Sequence, residues 1–215
     1  GVSHMFKYIR LESYEDALAN LRLRRADPQQ QLLDKSDAFR ESYMLRYMLD
    51  VETKGSPSLL DIDRFEDPFS YQMLVGAGSV GETKPVNVDL VETFNWLLGL
   101  KVKHIDAFDG FRVVEGANPK GEKVLVIWRK IRDLAEQDPK KIEQQRLKAN
   151  EALDAFFKKQ QYNTMDMEFD VVYVNGDNNL MNLPMLPEGE GREPRYKVRL
   201  IEEEFKRLMF DVKDV

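Results

Sequence analysis

Few residues in this chain are of types that do chemistry, and their spacing can be tested against the reactions they would serve. Gly76-Ala77-Gly78-Ser79-Val80-Gly81 matches the glycine pattern that lets a backbone approach a pyrophosphate. That chemistry needs a strand before the glycines and a helix opening on the last of them. Glu82-Thr83-Lys84-Pro85 stands where the helix would begin, so the stretch reads as a plain loop. Asp106, Asp109 and Glu115, with Lys123, are the residue types a metal-dependent nuclease gathers around a hard cation. Glu122 and Lys123 are adjacent and so point to opposite faces of a strand. These charges therefore read as solvated groups at strand ends. His104 has no second histidine to join it, and reads as a surface or packing residue.

Lys140, Lys141, Arg146 and Lys148, followed by Lys158 and Lys159, make one long stretch locally basic. A helix bearing them would suit a phosphate backbone, and the first four are the candidate DNA contacts. Interspersed glutamates favour the plainer reading, a solvated helix face. Asn175, Asp177 and Asn178 follow a strand end, where α/β sheets take their ligands, and form a candidate functional loop. Asn-Gly is also an ordinary turn former, and the turn is the preferred reading. Asp67-Pro68-Phe69 resembles the Asp-Pro-Pro-Tyr/Phe grip of amino-methyltransferases, and Leu74–Gly78 resembles their cofactor loop. The second proline is missing, and the two pieces are too close in sequence to end separate strands of one catalytic sheet. A strand and a turn is the simpler reading.

Composition narrows the classes further. The 215 residues are 42% hydrophobic and 33% charged, with a formal net charge of −6. An acidic chain of this kind is a poor non-specific nucleic-acid binder, so any DNA contact must come from a local patch. Cysteine is absent, which excludes disulfides, thiolate nucleophiles and cysteine zinc sites. No apolar run approaches the roughly eighteen residues of a membrane span, so no membrane partner is expected. The expected compartment is cytoplasmic. Residues 1–5, Gly-Val-Ser-His-Met, read as an expression-tag remnant, which removes His4 from any site. Residues 6–215 read as a single α/β domain with a helical N-terminal portion over about 11–53.

The elements that must position these residues centre on Val124–Arg129, an apolar run too short for a core helix. It reads as a strand buried on both faces. Phe111–Glu115 precedes it across the turn Asn118–Gly121, so a hairpin is expected. Asp138-Pro139 opens a helix to about Gln160, anchored by Ala149, Ala152, Leu153, Phe156 and Phe157. Phe169–Val174 is the next strand, so strand, helix and strand form a parallel crossover. The fold class is therefore mixed α/β: a central mixed sheet with a hairpin and a parallel β-α-β crossover, flanked by helices. Around it we expect an edge strand at Phe6–Leu11, helices starting at Ser13 and over Ser36–Asp50, and strands at Leu59–Ile62 and Phe69–Val75. A loop follows at Gly76–Pro85, then a helix capped by Asn87 or Asp89 that stops at Gly99. A strand is expected at Lys101–Phe108 and a loop at Pro187–Pro194. Val198, Ile201, Phe205 and Leu208 mark a last helix. Tyr43 and Met44 are the interface guess on the early helices.

Four stretches together resemble a known family. They are Phe6–Leu18, Val88–Leu100, Val124–Arg129 and Val172–Leu180. They resemble the C-terminal region of adenine-specific DNA methyltransferases, the modification subunits of type III restriction-modification systems. The resemblance implies a parent enzyme that moves a methyl group from S-adenosylmethionine to the amine of adenine in a specific DNA site. The family's catalytic motifs have no matching positions here, so no catalytic, cofactor or metal residue is carried over. The implied role is a non-catalytic module, inactive by itself and without a cofactor. It would serve assembly with a second modification subunit or a restriction subunit, with an accessory contact to DNA. The alternative is a self-contained nuclease-like or nucleotide-binding α/β enzyme.

Overall fold

The computed structural model describes residues 62–76, 82–185 and 195–210. The expected edge strand at Phe6–Leu11, both early helices, the Tyr43 and Met44 surface, residues 59–61 and the Pro187–Pro194 loop lie outside them. The chain divides into two compact units. The described part of the first is an antiparallel pair, β1 (Gln72–Gly76) with β2 (Thr83–Asn87).

The second unit is built on a five-stranded mixed sheet. In chain order it contains α1 (Leu90–Leu97), β3 (Lys101–Phe108), β4 (Phe111–Ala117), β5 (Lys123–Arg129) and α2 (Pro139–Gln160). These are followed by β6 (Val171–Val174), the two-residue strands β7 (Pro184–Met185) and β8 (Arg195–Tyr196), β9 (Val198–Leu200) and α3 (Ile201–Phe210). Two short 3-10 helices, Ile62–Glu66 and Pro68–Ser70, belong to the same unit. The sheet order is β3-β4-β5-β6-β9, antiparallel as far as β5 and parallel from β5 to β9. The chain is thus mixed α/β, with the expected hairpin and the expected crossover through α2.

The sequence explains the layering. Every residue of β5 after Lys123 is buried, because helices cover both faces. Leu125 and Ile127 face α2 and pack with Leu153, Phe156 and Phe157. Trp128, on the other face, meets Phe94 of α1 edge-on, with ring centroids 5.9 Å apart. Phe94 also meets Phe205 of α3 and Tyr173 of β6. Helix α1 starts where Asp89 accepts the Glu92 N–H at 3.0 Å, which selects Asp89 over Asn87 as the cap. Helix α2 starts on Asp138 in the same way, accepting from the Lys140 N–H.

Three expectations need correction. Phe69 and Ser70 lie in a 3-10 helix, and the strand begins at Gln72, because Pro68 pre-sets a helical φ. Thr83, Lys84 and Pro85 are not loop but strand β2. All five β2 side chains are exposed, so no apolar alternation announced it. Val198 belongs to β9, not to the last helix. The strand runs into α3 without an intervening turn, and a helical period absorbed it.

Both sheet edges are guarded. The β3 edge carries an irregularity between Val102 and His104 and exposes charged side chains. At the β9 edge, the Asn182 amide accepts from the Val198 N–H at 2.8 Å and donates to its C=O at 2.7 Å. It occupies the bonds an added strand would make there.

Candidate functional site

The carboxyl ends of β5, β6 and β9 come together in one polar cluster, the place where an open α/β sheet ordinarily takes a ligand. Parallel pairing sets Ile127 against Val174, so Arg129 leaves β5 beside Asn175. The Asn175 side chain is fully buried and acts as a short extra strand. Its Oδ1 accepts the Arg129 N–H at 2.8 Å, and its Nδ2 donates to the C=O of Arg129 at 2.8 Å and of Phe65 at 2.9 Å.

Arg129 is 1% exposed, and its guanidinium is bonded to the chain itself. Its Nε donates to Asn175 O at 3.3 Å and its Nη1 to Ala149 O at 2.6 Å. Its Nη2 donates to Asn150 Oδ1 at 2.9 Å and to Asp177 O at 2.8 Å. An arginine has five N–H groups. The bonds made by Nε, Nη1 and Nη2 hold the turn after β6 and α2 on one planar cation. Burial lowers its pKa to about 10, against the charges of Glu202, Asp154 and Asp177. It therefore stays charged at neutral pH.

Glu202, in the first turn of α3, completes the cluster. One carboxyl oxygen accepts the Gly176 N–H at 2.8 Å. The other, Oε2, is buried with no hydrogen-bond partner among the described residues. Burial pushes the carboxyl up to about 7, outweighing the bonds from its own main-chain N–H and from that of Gly176 and the charge of Arg129. The turn requires glycine at 176. Its φ is +69°, and a Cβ there would come within 2.1 Å of Ile131 Cδ1.

Beside the cluster, the segment after β5 is tied to the first 3-10 helix. Ile131 donates its N–H to Glu66 O at 2.7 Å. The Glu66 carboxylate takes both Arg132 and, at 2.8 Å, Arg146. Lys130 pairs with buried Asp67 at 2.9 Å, and that bond raises the Lys130 pKa. Asp67 thus serves an ion pair at the start of a 3-10 helix.

An open pocket of about 260 Å³ lies along β9 and α3, lined by residues that include Arg199, Glu204 and Arg207. Its charges answer one another. Arg207 Nη2 reaches Glu204 at 2.7 Å, and the Tyr173 hydroxyl bonds both Glu204 and Arg199. Burial, then Glu204, pushes Tyr173 up to about 12.

No family model, curated protein or solved structure matches this chain.

The structure sorts the residues singled out from the sequence. Lys140, Lys141, Arg146 and Lys148 are all exposed on α2. Two of them face carboxylates, Arg146 at Glu66 and Lys141 at Glu136, 3.6 Å away. Asn175 belongs to the buried cluster, which the turn reading did not foresee. Asp177 contributes its main-chain oxygen. Asn178 shapes the turn, accepting from the Leu180 N–H at 3.2 Å. Asp106, Asp109 and Lys123 are exposed, while Glu115 accepts from the Tyr162 hydroxyl. Among the described residues no three acidic or histidine side chains converge as metal ligands would. Gly76 ends a strand of an antiparallel pair, and β2 follows where a nucleotide loop would open a helix. Arg129 and Glu202 were missed as site residues. For Arg129 the available signal was its place at the end of an apolar run, whereas Glu202 follows a three-residue strand that contains Arg199 and carried none.

Proposed function

We propose that the chain is a non-catalytic module of a site-specific, S-adenosylmethionine-dependent adenine DNA methyltransferase. Its work is assembly with a second modification subunit or a restriction subunit, with accessory DNA contact through α2. The observation that carries the non-catalytic reading is the Arg129 cluster. The strand ends that would receive a ligand are occupied by bonds from the chain to itself. Three of the stretches that carry the resemblance build one core. Val88–Leu100 supplies Phe94, Val124–Arg129 supplies Trp128 and Arg129, and Val172–Leu180 supplies Tyr173 and Asn175, and these side chains touch. Such stretches build a scaffold and not a reaction centre. Among the described residues no helix is long and apolar enough to cross a membrane. The cytoplasm is the compartment that goes with this reading.

Calorimetric titration tests it. Separate injections of S-adenosylmethionine, ATP and Mg²⁺ are expected to give no binding heat. Micromolar binding of any of the three would overturn the non-catalytic reading and favour a self-contained enzyme.

A further inference from the structure

Glu202 is out of place as a structural carboxylate. A buried acid is ordinarily matched by donors on both oxygens. Here Oε1 has the Gly176 N–H, and Oε2 has no hydrogen-bond partner among the described residues. The nearby cation, Arg129, directs its bonds to main-chain and amide oxygens instead. The charged groups facing Glu202 are Arg129 at the end of β5 and Asp177 in the turn after β6. Arg129 is itself shared with Asp154 of α2 and with Asp177. The main-chain N–H groups of Gly176 and of Glu202 itself leave Oε2 without a donor, so a proton on the carboxyl removes a buried negative charge that its surroundings meet only in part. The neighbouring turn has little slack, because Gly176 is packed against Ile131.

From this geometry we propose that Glu202 is a proton-operated latch between α3 and the turn after β6. Protonated, it holds the Gly176 amide and lets the strand ends close. Ionised, it carries an uncompensated charge in the same space and favours opening of that junction.

The direction of the pH effect follows from the group's two environments. The closed state holds its proton up to about pH 7, whereas a glutamate carboxyl ordinarily gives it up near 4.5. Over that window the closed state binds more protons than the open one. Closure therefore weakens as pH rises from 4.5 to 7, and changes little above 7.

Amide hydrogen exchange at Gly176, corrected for the intrinsic base-catalysed rate, reads this out. Between pH 5 and 8 its protection should fall on the order of fiftyfold in the wild type. In Glu202→Gln it should stay level. The same pH dependence in both proteins, or none in the wild type, would sink the latch. Should the variant not fold, the carboxyl ¹³C shift of Glu202 in the wild type decides. A midpoint near 7 supports the latch, and one at or below 4.5 overturns it.

Discussion

Beneath α2 the sheet presents Phe111, Val113, Leu125, Ile127, Val172 and Val174, packed with Leu153, Phe156 and Phe157. Phe111 and Phe156 stack with centroids 4.3 Å apart. Towards α1 and α3 it presents Trp128 and Tyr173, which join Phe65, Tyr71, Phe94 and Phe205 in a run of mostly edge-on rings. The two faces differ in how they treat polar atoms. On the α2 side the buried charge, Arg129, is matched bond by bond. On the α1 side, both amide atoms of Asn95 and the Nε1 of Trp128 are buried without a hydrogen-bond partner among the described residues. The α2 face gives each nitrogen of its buried cation a partner, whereas the α1 and α3 side, Glu202 Oε2 included, carries polar groups that packing alone does not explain.

The sharpest way to break that contrast is Arg129→Leu. Removing the guanidinium leaves Asn175 O, Ala149 O, Asn150 Oδ1 and Asp177 O without the donor that now joins them. Uncompensated buried groups of this kind cost about 4 kcal/mol in all. Urea denaturation should show a loss of that size. A loss within about 1 kcal/mol would mean that solvent replaces the arginine, and the two faces would no longer differ in kind.

Much of the α2 face was legible in the sequence, and the reason is periodicity. Val124–Trp128 is an unbroken apolar run of strand length, Phe111–Glu115 and Phe169–Val174 are rich in Phe and Val, with the second strand starting only at Val171, and Leu153, Phe156 and Phe157 share one side of a helix. The other face was harder to read. Phe65 sits in a 3-10 helix with no repeat to reveal it, and β9 is three residues long and fused to α3. The strand-end cluster was half legible. Asn175 stood out because it follows a strand, whereas Arg129 looked like the charged end of an apolar run. Glu202 looked like one of three acids favouring a helix dipole. Its inward direction depends on how α3 meets β6, a contact between elements that residue types do not encode.

A smaller effect sharpens the contrast from the other side. Asn95→Leu removes two buried polar atoms and keeps much of the side-chain volume. If they have no partner, the variant should gain about 1 kcal/mol in urea denaturation. A loss of similar size would show that the amide is satisfied in solution, by a buried water for example, and that the α1 face is polar by design.

The smallest effect on stability belongs to the outward side of α2, where Lys140 and Lys148 are exposed. Replacing both by alanine should change stability by less than about 0.5 kcal/mol, since the helix is held by Leu153, Phe156 and Phe157 on its other side. Their contribution, if α2 lies along a phosphate backbone, is electrostatic and independent of base sequence. Binding of a duplex at stepped salt concentrations would then show a logarithmic slope reduced by about 2 in the double variant. An unchanged slope would assign both lysines to solvent and confine the exposed side of α2 to assembly. A stability loss above about 1 kcal/mol would contradict the comparison itself, because it would place structural weight on the surface of a helix whose inner side alone grips the sheet.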